Sequence, residues 1–147
     1  MNKVLYDRAK RGMFVTLVYL LLDPYKNRIQ IANGGHLPPV YCDKKEAVLL
    51  GDDRKKGPPL GILPDAEYDQ EIFDLEEQSS ITLFTDGVIE AKNSAADLFG
   101  LKRLLRVIKS QPNDPELICR GITNSVDRFT STDGRNDDLT LLAFTVN

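Results

Sequence analysis

The first long apolar stretch, Met13 to Asp23 (MFVTLVYLLLD), is apolar at odd and even positions alike. That pattern predicts a central strand covered on both faces. Asp23-Pro24 opens a turn, and Arg28 to Asn33 then alternates with Ile29 and Ile31 on one face, so the two stretches should form a hairpin. Asn33-Gly34-Gly35-His36-Leu37-Pro38-Pro39 reads as a rigid loop. Short strands follow at Val40 to Cys42 and Ala47 to Leu50, joined by the polar turn Asp43-Lys44-Lys45-Glu46. Residues 51 to 64 form a loop rich in Gly, Pro and charge. Tyr68 to Leu75 predicts a strand, and Ile81 to Thr85 a second buried strand ending at Asp86-Gly87.

Helical spacing appears in three places. Residues 1 to 11 carry Val4, Leu5 and Ala9 at helical intervals, with Arg8, Lys10 and Arg11 at the end where cations suit the dipole and Gly12 as a stop. That stretch has no capping start signal, which leads us to expect a natural chain beginning further upstream. A helix is predicted over Phe99 to Lys109. Another begins near Asp114 with Pro115 in its first turn, and carries Leu117, Ile118, Ile122, Val126 and Phe129 on one stripe. Residues 130 to 136 are a polar loop, and Leu139 to Val146 is a last apolar strand. Mostly antiparallel strands with two late helices predict an α+β layered domain, not a doubly wound one.

A chain of 147 residues suits one domain. Its net charge of −3 argues against a basic nucleic-acid face. The longest apolar run, Leu17 to Leu22, is too short to span a membrane, and Met1 to Gly12 contains no signal peptide, so a cytoplasmic protein is expected. Cys42 and Cys119 form no CxxC pair, and His36 is the only histidine, which excludes a zinc site of the usual spacing. Both cysteines are expected as reduced, largely buried thiols.

Two acidic constellations could carry chemistry. Thr85-Asp86-Gly87 ends a buried strand, where a carboxylate beside Gly can enter a cleft; taken alone, Asp-Gly is more often a simple turn. Asn136-Asp137-Asp138 precedes the last strand, and taken alone is more often a solvated turn. If those strands are neighbours the carboxylates converge, and Mg²⁺ or Mn²⁺ takes such oxygens. His36 could serve as a general acid or phosphate contact, but between Gly-Gly and Pro-Pro it reads rather as a histidine whose ring shapes its loop. Gly57-Pro58-Pro59-Leu60-Gly61-Ile62 is not a phosphate loop, since no Lys-Ser/Thr follows, and reads as a tight crossing of the chain. Arg54, Lys55 and Lys56 before it read as a solvated charge run.

Several segments occur in the order found in SpoIIE-type phosphatases of the PPM (type 2C) superfamily. They are Met13-Phe14-Val15-Thr16-Leu17, Leu22-Asp23-Pro24, Asn33 to Pro39, Pro59-Leu60-Gly61, Phe84 to Ala91, Phe99-Gly100 and Asp137-Asp138-Leu139-Thr140-Leu141. The chain resembles that family over nearly its whole length. The resemblance implies an α-β-β-α sandwich, present here in part, and a two-metal Mn²⁺ or Mg²⁺ centre. It implies a hydrolase of phosphoserine or phosphothreonine proteins that uses water activated by the metals, without a phosphoenzyme. It assigns metal ligation to Asp86 and Asp137, with weaker assignments to Gly87, beside the ligand, and to Asp138. It further implies a phosphoprotein substrate, often an anti-sigma-factor antagonist, and an upstream receiver or sensor domain.

One departure matters. The family's upstream Gly-Asp-x-x-Gly motif, which supplies an aspartate bridging both metals, has no counterpart in residues 1 to 12; Asp7 lies in a helical stretch and does not replace it. The expectation is therefore the C-terminal portion of a phosphatase domain over 1–147, catalytically incomplete alone, binding metal poorly and covering exposed apolar surface by forming a homodimer. The competing readings are a pseudophosphatase module that binds a phosphoprotein or partner domain without turnover, and a plain α+β interaction domain.

Overall fold

The computed structural model describes residues 1–8, 12–51, 55–130 and 138–146. They form two compact units interleaved along the chain: Met1–Pro38 with Gly51–Leu75, and Pro39–Leu50 with Glu76–Asn147.

The first unit holds helix α1 (Asn2–Arg8) and the antiparallel sheet β1 (Leu17–Asp23), β2 (Arg28–Gly34) and β5 (Gln70–Asp74), ordered β1-β2-β5. The predicted hairpin is present, with Leu20 opposite Ile31 and Leu22 opposite Ile29. Ile29 and Ile31 are buried, as their alternation requires. The other face carries Leu17, Tyr19, Leu21 and Ile72, all exposed. Hence β1 is not the centrally placed, doubly covered strand its composition predicts. It stands at a sheet edge, and among the described residues no strand pairs with its outer side.

The Asn33–Pro39 loop is closed by its own side chain. Asn33 Nδ2 donates to His36 O at 3.0 Å, and His36 N–H donates to Asn33 Oδ1 at 2.8 Å. The His36 ring shares a hydrogen bond with Thr16 Oγ1 at 3.2 Å. Gly35, at φ +77°, lies so close to Pro59 that a Cβ would meet its Cγ at 2.5 Å. Bridges Gly34–Gly57 and Val15–Leu60 make the stretch from Gly57 to Leu60 the tight crossing expected of it. Lys55 of the charge run pairs with Glu71 at 3.7 Å, while Arg54 lies outside the described residues.

The second unit is a sheet with helices. Strands β3 (Val40–Cys42), β4 (Ala47–Leu49), β6 (Ser79–Phe84) and β7 (Leu141–Val146) are ordered β4-β3-β6-β7, all antiparallel. Helices α2 (Asp86–Ile89), α3 (Gly100–Ser110) and α4 (Pro115–Thr130) complete it. Helix α4 begins where Asp114 and Pro115 predict: Asp114 Oδ1 accepts the Leu117 N–H at 2.9 Å. Leu104 and Ile108 of α3 and Ile118, Ile122 and Val126 of α4 are at most 1% exposed. Each contributes about 1.5–3 kcal/mol by leaving water. Phe99 and Phe129 meet edge to face at 5.5 Å, with the Arg103 guanidinium 4.7 Å from the Phe129 ring centre. The fold class is α+β and mainly antiparallel, as expected, with two short helices, α1 and α2, beside the two long ones. Cys42 and Cys119 are free and only partly buried.

Candidate metal centre

Strand β6 is buried along almost its whole length, and its register with β7 runs from Ser79 opposite Val146 to Phe84 opposite Leu141. The ladder delivers the end of β6 to the entry of β7, which meets the condition set from sequence that these two strands be neighbours.

One residue beyond the ladder the chain turns. Thr85 (φ −92°, ψ 165°) is still extended, and its N–H donates to Thr140 O at 3.2 Å. Its carbonyl instead faces α2, accepting the Val88 N–H at 3.1 Å. Asp86 therefore opens a short helix; the predicted turn is this helix's first residues, too few for periodicity to reveal. The Asp86 side chain is exposed, and its Oδ1 accepts the Gly87 N–H at 3.0 Å. Val88, fully buried, anchors the helix below.

The β7 entry lies against this turn. A Cβ on Gly87 would stand 2.3 Å from Asp138 O, so only glycine lets the two main chains approach this closely. Thr85 Oγ1 donates to Asp138 O at 3.5 Å and accepts the Thr140 N–H at 3.1 Å. Asp138 is exposed. Asp137, the second predicted ligand, lies outside the described residues. Asp86, Gly87 and Asp138 are thus brought to one place, while His36 belongs to the Asn33 loop and is engaged there.

The close approach at Gly87 brings two segments together that each carry an exposed carboxylate, Asp86 and Asp138, and such oxygens suit a hard divalent cation. Among the described residues no group of three or more His, Cys, Asp or Glu gathers as a complete metal site. The residues fit part of a donor set. Sequence reasoning named Thr85 only as part of the Thr85-Asp86-Gly87 motif and missed the bonds its hydroxyl makes to the β7 entry.

The sequence model of the family described as Stage II sporulation protein E (SpoIIE) matches residues 1–147. The chain belongs to the SpoIIE family. Among curated proteins it is similar to phosphoserine phosphatase RsbU of Bacillus subtilis (strain 168), 34% identical over 92 residues, covering 63% of this chain and 27% of RsbU. Among solved structures it matches the phosphatase domain of the cell fate determinant SpoIIE from Bacillus subtilis, presoaked with Mn, at TM-score 0.74 and 17% identity, covering 99% of this chain and 63% of that one. RsbX in complex with magnesium matches at TM-score 0.60 and 19% identity, covering 97% and 59%. These structural likenesses carry the fold, that of a type 2C phosphatase domain. This SpoIIE-family chain spans less than two thirds of the length of the relatives it matches. Among the described residues no helix is long and apolar enough to cross a membrane.

Proposed function

We propose that this SpoIIE-family chain is the C-terminal portion of a metal-dependent protein phosphatase domain acting on phosphoserine or phosphothreonine in a cytoplasmic regulatory protein. The observation that carries the reading is the apposition of the Thr85-Asp86-Gly87 turn, which holds one of the family's aspartates, to the Asp138–Thr140 strand entry, which follows Asp137 in the chain. RsbU is named a phosphoserine phosphatase, and the SpoIIE domain was presoaked with Mn, which supports the reaction and the metal class.

Asp86 and Asp137 would hold Mn²⁺ or Mg²⁺, with Asp138 beside them. The metals would neutralise phosphoryl charge and activate water. The chain's own residues fix the carboxylates: the Gly87 N–H restrains Asp86, and Thr85 with Gly87 seats the strand entry that leads from Asp137. A further carboxylate, from outside this chain, completes the donor set. The substrate is a sigma-factor regulator, a receiver or sensor domain is the regulating partner, and self-association covers the apolar face of β1.

Mn²⁺ affinity by calorimetry and turnover of a phosphoserine peptide test the reading in the full-length polypeptide, beside its Asp86→Asn and Asp137→Asn variants. Each substitution should weaken Mn²⁺ binding at least about tenfold and abolish turnover. Survival of both properties in both variants overturns the assignment. Phosphoprotein binding without Mn²⁺ binding or turnover would identify a non-catalytic module instead.

A further inference from the structure

In a regular antiparallel ladder, a hydrogen-bonded pair exchanges two N–H···O=C bonds. The pair after Phe84–Leu141 is Thr85–Thr140, and only one of its two bonds is regular: Thr85 N–H to Thr140 O at 3.2 Å. The return bond cannot form in the usual way, because the Thr85 carbonyl has turned to accept the Val88 N–H of α2. The Thr140 N–H goes to the Thr85 hydroxyl instead, at 3.1 Å.

A threonine in the N-cap position ordinarily spends its oxygen on an amide of its own helix. Thr85 makes no such cap bond. Its hydroxyl accepts from Thr140 and gives its proton to Asp138 O at 3.5 Å, so it spans the segment between them from both ends. The β-branched side chain has few χ1 choices, which keeps the oxygen in place.

We propose that Thr85 is a positioning residue whose hydroxyl replaces its own main-chain carbonyl in the β6–β7 ladder. The chain can thereby leave the sheet to present Asp86 while the Asp138 carbonyl stays held alongside. This rests on the reading of Asp86 and Asp137 as metal ligands, and it adds the device that holds the Asp86 turn against the Asp138–Thr140 strand entry. Valine at 85 has the shape of threonine but offers neither acceptor nor donor; serine offers both.

The test compares Thr85→Val and Thr85→Ser in the 147-residue chain by amide NMR. Hydrogen exchange at the Thr140 amide, without metal, reads the latch. Paramagnetic broadening of the Asp86 and Gly87 amides during a Mn²⁺ titration reads the site and registers weak binding as well as strong. Thr85→Val should speed Thr140 exchange and raise the Mn²⁺ midpoint, each about two- to tenfold, with the amides of α3 and α4 unmoved; Thr85→Ser should stay within about twofold of the parent chain. Unchanged Thr140 exchange in Thr85→Val overturns the latch. Faster exchange with an unchanged Mn²⁺ midpoint overturns the positioning role. Where the 147-residue chain shows no broadening, the titration is run on the full-length polypeptide, whose further carboxylate completes the donor set; no broadening at Asp86 or Gly87 there either means that the ligand assignment falls and the positioning role with it, while the exchange data still report whether the latch exists.

Discussion

Gly87→Ala probes the closest approach in the candidate centre. An added Cβ would stand 2.3 Å from Asp138 O and 3.1 Å from Asp138 C, both main-chain atoms that no rotamer change can move aside. To reach the 3.0 Å that real Cβ atoms respect, the segments must part by about 0.7 Å. Neither side yields easily. Phe84 and Leu141 are paired in the ladder close by, and Val88, next to Gly87, is fully buried. Overpacking of this kind costs about 1–3 kcal/mol, offset by at most about 1 kcal/mol of better helix propensity. Taking a net cost of about 1–2 kcal/mol and a urea slope of about 2 kcal/mol/M, the unfolding midpoint should fall by roughly 0.5–1 M. Gly100 supplies the control. At φ +75° and with nothing within 4 Å of an added Cβ, Gly100→Ala carries only the left-handed backbone cost of about 1–2 kcal/mol and separates no strands. Urea unfolding followed by circular dichroism gives the midpoints, and amide shifts of Asp138 to Thr140 report the separation. A Gly87→Ala midpoint within about 0.2 M of the parent chain, with those shifts unmoved, would refute the reasoning.

Two further substitutions test the sheet and its turn. Thr82 is fully buried and its hydroxyl finds no hydrogen-bond partner among the described residues, so Thr82→Val should be neutral or stabilising by up to about 1 kcal/mol, raising Tm by up to about 4 °C; a lower Tm in a thermal melt contradicts this. The Asp43 carboxyl is held below the usual carboxylate range, first by the Glu46 N–H and also by the Lys45 N–H. Its folded pKa is depressed, so its contribution is present above the unfolded value near about 4 and is lost as pH falls through the folded one. Asp43→Asn keeps an acceptor oxygen but has no charge to titrate. The stability gap between the two proteins should therefore be widest at neutral pH and close in acid, and a gap independent of pH in urea titrations would sink the assignment.

Much of the fold is legible because period and punctuation agree. Asp114-Pro115 and the stripe Ile118, Ile122, Val126 specify α4 almost residue by residue, and Ile29 and Ile31 turn the correct face of β2 inward. The β1 stretch misleads for a physical reason. Apolar residues on both faces state what a strand needs, not which neighbours are present to supply it, and here Tyr19 is 59% and Leu21 50% exposed. Helix α2 is invisible to periodicity because four residues make barely one turn. At the candidate centre, residue type and order single out Asp86 and Gly87. The role of Thr85 depends on where one carbonyl points, a fact about a dihedral angle that no one-dimensional pattern carries. Asp137 lies outside the described residues and remains an assignment by resemblance.

The interleaving of the two units has a consequence for synthesis. A ribosome makes a chain from its N-terminus, and among the described strands the two of the β1–β2 hairpin, near in sequence, are made first. The β3–β4 hairpin emerges next, although its sheet partner β6 is made only after β5, the partner of β2. Strand β7 leaves after every other described element, and the Thr85–Thr140 latch cannot close until it does. A nascent chain paused between Asp86 and β7 would display Asp86 without the strand entry that faces it. Translation thus acts as a timer: the candidate centre cannot be assembled on a half-made polypeptide.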